Sequence, residues 1–160
     1  MDVVKVGMAD LKIVKNPQII TTLGLGSCVG VVLYDPEKKL AGLAHIMLPD
    51  SNNSKDNTNK AKFADTAIPY MIDLMLKKGA KKERLISKIA GGAQMFDFKG
   101  KSDIMKIGVR NIKAVKENLH KFNINIVAED VGGNYGRTIE FNTNTGKLTI
   151  RSLGKGTKEI

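Results

Sequence analysis

Two scarce residue types in this sequence can support nucleophilic chemistry: a single cysteine, Cys28, and two histidines, His45 and His120. Cys28 ends the stretch Thr21-Thr22-Leu23-Gly24-Leu25-Gly26-Ser27-Cys28, where a β-branched run passes into glycines. Glycine at such a turn lets backbone approach a ligand closely and aim N–H groups outward. A sulfur attacking an amide needs donors of that kind for the charge that forms on the carbonyl oxygen, and the backbone N–H groups of Ser27 and Cys28 are the candidates. The thiol also needs a partner that takes its proton and later returns one to a leaving group, which imidazole does near neutral pH. His45 lies in an apolar run over residues 41–48 that can fold back beside Cys28, whereas His120 ends a lysine-rich helical pattern, where a cation suits the helix dipole. His45 is therefore the better candidate. Spacing alone leaves the plainer reading open, a small core cysteine and a hydrogen-bonded core histidine.

Other chemistries are disfavoured. One cysteine and two histidines fall short of an ordinary zinc ligand set, and a lone thiol forms no internal disulfide, so no metal or cofactor is expected. Gly24, Gly26 and Gly30 have the wrong spacing for a dinucleotide fingerprint, and no Gly-Lys-Ser/Thr follows them. The formal charge of +10 favours acidic partners. Nucleic acid is a poor fit among these, because aromatics are only 5%, Trp is absent and the basic residues are not interleaved with stacking rings. No apolar run approaches bilayer-spanning length, and residues 1–6 show no secretory pattern, so a cytoplasmic protein without membrane insertion is expected.

The 160 residues suit one domain, with no low-complexity linker. Residues 3–6, 11–14, 19–23, 29–34 and 40–48 read as strands, the last two forming a hairpin through Asp35-Pro36 that returns His45 toward Cys28. Residues 50–60 contain no apolar side chain and predict a solvated, mobile loop. A helix follows over Phe63 to Leu76, stopped by Gly79, with a kink or late start at Pro69. Residues 85–90 read as a strand leading into the turn Gly91-Gly92-Ala93-Gln94-Met95-Phe96. A second helix, capped by Ser102 or Asp103, carries a stripe of Ile107, Val109, Ile112, Val115, Leu119 and Phe122. A strand over 124–128 and a hairpin pairing 138–142 with 148–152 complete the pattern. The order predicts an α+β fold: a layered, β-sandwich-like core of mostly antiparallel strands with two main helices packed on it.

The blocks TLGLGSC, AHIMLPDS, FADTA, KIAGGAQMF, GVRN, AEDVGGNYGR and TGKLTIRSLG follow one another over nearly the whole chain. In that order they resemble the chemoreceptor glutamine deamidase family CheD. Residues 96–105 form a longer stretch than the family pattern. The resemblance implies a fold similar to cysteine deamidases, glutamine-deamidating bacterial toxins among them, and a site of cysteine, histidine and threonine falling on Cys28, His45 and Thr22. Thr21 remains an alternative for the threonine, because alternation along a strand does not say which hydroxyl meets the imidazole. The implied reaction turns glutamine side chains on chemoreceptor helices into glutamate and ammonia without a cofactor. The implied partner is the chemotaxis phosphatase CheC, bound by a monomer that forms a heterodimer, with Met95 and Phe96 as the candidate contact. A mainly CheC-binding adaptor is the competing function.

Overall fold

The computed structural model describes residues 2–95 and 106–160. Ten strands form two five-stranded sheets. One sheet orders β1 (Val3–Val6), β3 (Ile19–Leu25), β8 (Arg137–Asn142), β9 (Lys147–Ser152) and β10 (Gly156–Glu159). The other orders β2 (Leu11–Lys15), β5 (Leu40–Ile46), β4 (Val29–Asp35), β6 (Ile86–Gly91) and β7 (Asn125–Val131). Six of the eight strand pairings are antiparallel; β1 with β3 and β6 with β7 are parallel. Helices α1 (Ala64–Lys77) and α2 (Ile107–Lys121) cover the outer face of the second sheet. The layers are thus sheet, sheet, helices, as the α+β expectation requires.

Strands β4 and β5 are buried at every residue because they sit in the middle layer. Their alternation divides two cores. Val32, Tyr34, Ala41 and Leu43 face the other sheet and pack with Ile20, Leu25, Ile139 and Phe141. Val31, Leu33, Ala44 and Ile46 face the helices and pack with Ile68, Met71, Met75 and Leu119. Each large aliphatic side chain buried in this way contributes ~2 kcal/mol of transfer free energy.

The expected hairpin through Asp35 is present, pairing Val29 with Ile46, Gly30 with His45 and Asp35 with Leu40. Asp35 fixes its turn by accepting from the Glu37 and Lys38 N–H groups at 3.1 and 3.2 Å. It also accepts from Lys81 N–H at 3.0 Å and from Arg84 Nη2 at 2.8 Å.

Several expectations are corrected. Helix α1 starts at Ala64 and includes Pro69, so there is no late start. Pro69 falls in its second turn, where one lost N–H bond is outweighed by burial of Ala67, Ile68, Met71, Ile72 and Met75. Segment 50–60 is solvated over most of its length, as expected, and is also tethered: Ser51 is buried on the Asp65 carboxylate at 2.8 Å, and Asn59 Nδ2 donates to Ala9 O at 3.0 Å. Helix α2 starts at Ile107 after Lys106, with no side-chain cap, and Val109 faces outward at 53% exposure while Gly108 and Asn111 take buried places. Ser102 and Asp103 lie outside the described residues. Strand β10 was not anticipated; all four of its residues are exposed and it pairs only along β9.

Candidate functional site

Backbone register places the sequence-predicted residues on one inner face. His45 stands opposite Gly30 across β5 and β4, and Cys28, in the bend just before β4, packs against the same inter-sheet core. Thr22 belongs to the facing sheet, on the same side of β3 as Ile20. His45 is held at both backbone groups, its N–H donating to Asp10 O at 3.0 Å and its C=O accepting from Ala9 N–H at 3.1 Å.

The two threonines separate cleanly. Thr21 Oγ1 donates to Ile139 O at 2.7 Å, away from the imidazole. Thr22 Oγ1 lies 2.7 Å from Val6 O and 2.7 Å from His45 Nδ1. A hydroxyl has one proton, and a carbonyl oxygen can only accept it. Thr22 therefore donates to Val6 O and accepts from His45 Nδ1–H. That assignment fixes the tautomer and leaves Nε2 with its lone pair. Nε2 is buried and has no hydrogen-bond partner among the described residues, so the neutral ring carries an unused acceptor there.

Cys28 is a partly exposed free thiol, and His45 is fully buried. No hydrogen bond joins Sγ to Nε2. Burial pushes the Cys28 thiol up from its ordinary value and pulls the His45 imidazole down. Both directions favour the neutral thiol beside the neutral imidazole over a resting ion pair.

The cysteine turn is supported from behind. Gly91, at φ +111°, lies against it so closely that a Cβ there would stand 2.3 Å from Cys28 O, and Gly92 N–H donates to Cys28 O at 2.8 Å. Behind Gly91 is Arg137, 2% exposed, with Nη1 3.5 Å from Gly91 O and Nη2 3.3 Å from Asp130 Oδ1. Ser27 and Cys28 are half-buried, and neither N–H group meets an acceptor among the described residues. Met95 is 44% exposed and lies over Gly26, where a Cβ would touch Met95 Cγ at 3.4 Å. Phe96, its expected companion in a partner contact, is outside the described residues. His120 ends α2, remote in sequence from the other candidates.

Sequence reasoning missed Asn111 and Arg137. Asn111 is fully buried on α2, and its Nδ2 reaches both Ser27 O and Met47 O at 2.9 Å. Its signal was present, since Gly108, Asn111, Val115 and Leu119 share one helical stripe in which Asn111 is the polar member. Among the described residues no group of three or more His, Cys, Asp or Glu side chains could hold a metal ion. No helix in them is long and apolar enough to cross a membrane.

Comparison with known proteins shows the family. The family described as CheD chemotactic sensory transduction matches residues 47–152. A protein of Caldanaerobacter subterraneus named probable chemoreceptor glutamine deamidase CheD is 62% identical over 99% of this chain and 98% of its own. One from Halalkalibacterium halodurans, named chemoreceptor glutamine deamidase CheD, is 58% identical over 99% of both chains. One from Lachnoclostridium phytofermentans, named probable chemoreceptor glutamine deamidase CheD, is 54% identical over 99% of both. With the family matching about two thirds of the chain and such relatives spanning nearly all of it, the chain belongs to the CheD family.

Proposed function

We propose that this chain is a cytoplasmic protein-glutamine deamidase that converts glutamine side chains of chemoreceptor helices to glutamate, with Cys28 as nucleophile, His45 as acid and base, and Thr22 as the residue that orients His45. One observation carries the reading: Thr22 Oγ1 spends its proton on Val6 O and accepts from His45 Nδ1–H, which leaves a buried Nε2 with no partner among the described residues on the strand position paired with Gly30, two residues from Cys28. The names of relatives identical at 58% and 62% supply the substrate class.

The steps follow from these positions. His45 Nε2 takes the Cys28 proton as Sγ bonds to the carboxamide carbon, and the carbonyl electrons move onto oxygen. The free N–H groups of Ser27 and Cys28 are suited to stabilise that oxyanion. As the carbonyl re-forms, the C–N bond breaks, and Nε2–H delivers its proton to the departing nitrogen, releasing ammonia. A water then loses a proton to Nε2 while its oxygen attacks the thioester carbon. Sγ leaves and is reprotonated by His45, and the product is glutamate. Because burial keeps both groups neutral at rest, proton transfer accompanies attack rather than preceding it.

The reading extends to CheC. Met95 is exposed beside Gly26, two residues before the cysteine, so a partner covering Met95 would also cover Cys28 and compete with receptor. Met95→Ala in a folded protein should weaken CheC binding; unchanged binding would remove Met95 from the contact. The formal charge of +10 suits acidic receptor helices.

The function is tested by mass spectrometry of a glutamine-containing receptor cytoplasmic fragment incubated with the protein and, separately, with Cys28→Ala. Conversion at defined glutamines by the intact protein alone is expected. No conversion by folded, reduced protein would sink the deamidase and leave a CheC-binding adaptor.

A further inference from the structure

We infer that Asn111 is a positioning residue that sets the aim of the Cys28 N–H at the oxyanion; the inference rests on the deamidase reading above. Asn111 has no exposed surface, and its Nδ2 donates at 2.9 Å to Ser27 O and at 2.9 Å to Met47 O. Two carbonyl acceptors demand the NH2 end of the carboxamide, so its orientation is fixed. Oδ1 is then left buried and without a partner among the described residues. An asparagine in this apolar helix stripe spends both donors on backbone carbonyls of other segments and leaves its own oxygen unpaired, a cost that those two bonds offset.

The two contacts also have a geometric consequence. Ser27 C=O and Cys28 N–H belong to one planar peptide unit, which is trans. In a trans peptide the C=O and N–H vectors are opposed, so a donor that holds the Ser27 oxygen toward α2 turns the Cys28 N–H the other way. That N–H meets no acceptor among the described residues. The second contact, Met47 O, lies two residues beyond His45, so a single side chain ties the cysteine turn to the end of the histidine strand.

Helix α2 reaches the turn because small residues let it. A Cβ at Gly108 would stand 2.3 Å from Ala93 O, and one at Gly92 would stand 2.3 Å from Ile112 Cγ1. This close approach, one helical turn before Asn111, carries its carboxamide to the Ser27 peptide.

The test uses Asn111→Leu, with the same side-chain branching and heavy-atom count but no polar group, and Asn111→Asp, similar in shape. It measures kcat and KM on the receptor fragment, the pH dependence of Cys28 alkylation by iodoacetamide, and thermal unfolding. In the folded variants kcat should fall about 10- to 100-fold with KM within about threefold, because an oxyanion donor acts in the transition state. The alkylation profile should keep its midpoint, since Cys28 and His45 are untouched. Turnover within about twofold of wild type would overturn the inference, as would alkylation falling in proportion to kcat. Failure of both variants to fold would make Asn111 structural and overturn it too. If the wild-type protein converts no glutamine, the deamidase reading itself fails. Asn111 is then judged by the Cys28 amide resonance, which should move in Asn111→Leu and whose constancy would refute the positioning role.

Discussion

Replacing Thr22 by valine keeps side-chain volume while removing one hydroxyl that serves two buried groups. Val6 O loses its donor and His45 Nδ1–H loses its acceptor, both at 2.7 Å in the native protein. Leaving such groups unpaired costs ~1–3 kcal/mol each, so Thr22→Val should be destabilised by ~2–6 kcal/mol in urea unfolding. The catalytic effect is separate. Without Thr22 the Nδ1–H tautomer loses ~1–2 kcal/mol of preference, and since 1.4 kcal/mol is a factor of ten, kcat for receptor deamidation should fall about 5- to 30-fold. Thr22→Ser should recover most of it. Thr21→Val is the control: it forfeits the 2.7 Å bond to Ile139 O and should lose ~1–2 kcal/mol of stability with kcat nearly unchanged. The assay is mass-spectrometric turnover at fixed enzyme beside a urea titration of each variant. Thr22→Val turning over like wild type, or Thr21→Val failing equally, would refute the assignment of the tautomer to Thr22.

The remaining predictions concern pH. Protonation of His45 removes the base, and burial lowers its pKa, so the acid limb of kcat/KM should have its midpoint below the ordinary 6.5. The alkaline limb should lie above the ordinary thiol value of 9.0 because burial raises Cys28; a limb on the wrong side of either value in a pH–rate profile would contradict neutral resting groups. Burial alone would raise the Asp35 carboxyl, but Arg84 and the Lys81 and Lys38 N–H groups outweigh it and hold the pKa at about 2, against an ordinary 3.8. The linkage is worth ~2 kcal/mol, present in full above pH ~4 and lost as pH falls toward 2. Asp35→Asn should lower stability at pH 7 and flatten the loss of stability below pH ~4 seen by thermal unfolding; an unchanged acid profile would show that Asp35 is not its source.

The sequence revealed what local rules encode. Consecutive β-branched runs around Asp35-Pro36 predicted the hairpin, and the register of Gly30 with His45 followed from it. Helix α1 was legible from apolar spacing, although Pro69 suggested a later start than its buried face allows. Strand β10 was not legible, because Gly156–Glu159 is wholly exposed and gains its pairing from β9 rather than from any apolar pattern. The parallel pairings of β1 with β3 and β6 with β7 are decided by tertiary packing, which short-range signals do not carry.

For the site, residue type and resemblance named Cys28, His45 and Thr22, but adjacency left Thr21 and Thr22 indistinguishable until strand direction separated their partners. Asn111 was not legible because a helix stripe is recognised by its apolar members, and Asn111 is the polar member of this one. Arg137 gave no local sign, since its burial behind Gly91 depends on β8 lying beside β3.

Nitrogen-15 NMR of the His45 ring at neutral pH tests the central claim most directly. The account predicts a protonated, pyrrole-like Nδ1 and an unprotonated, pyridine-like Nε2, with the pattern lost in Thr22→Val. A proton on Nε2 in the wild-type protein would contradict it, because the base that takes the Cys28 proton would already be occupied.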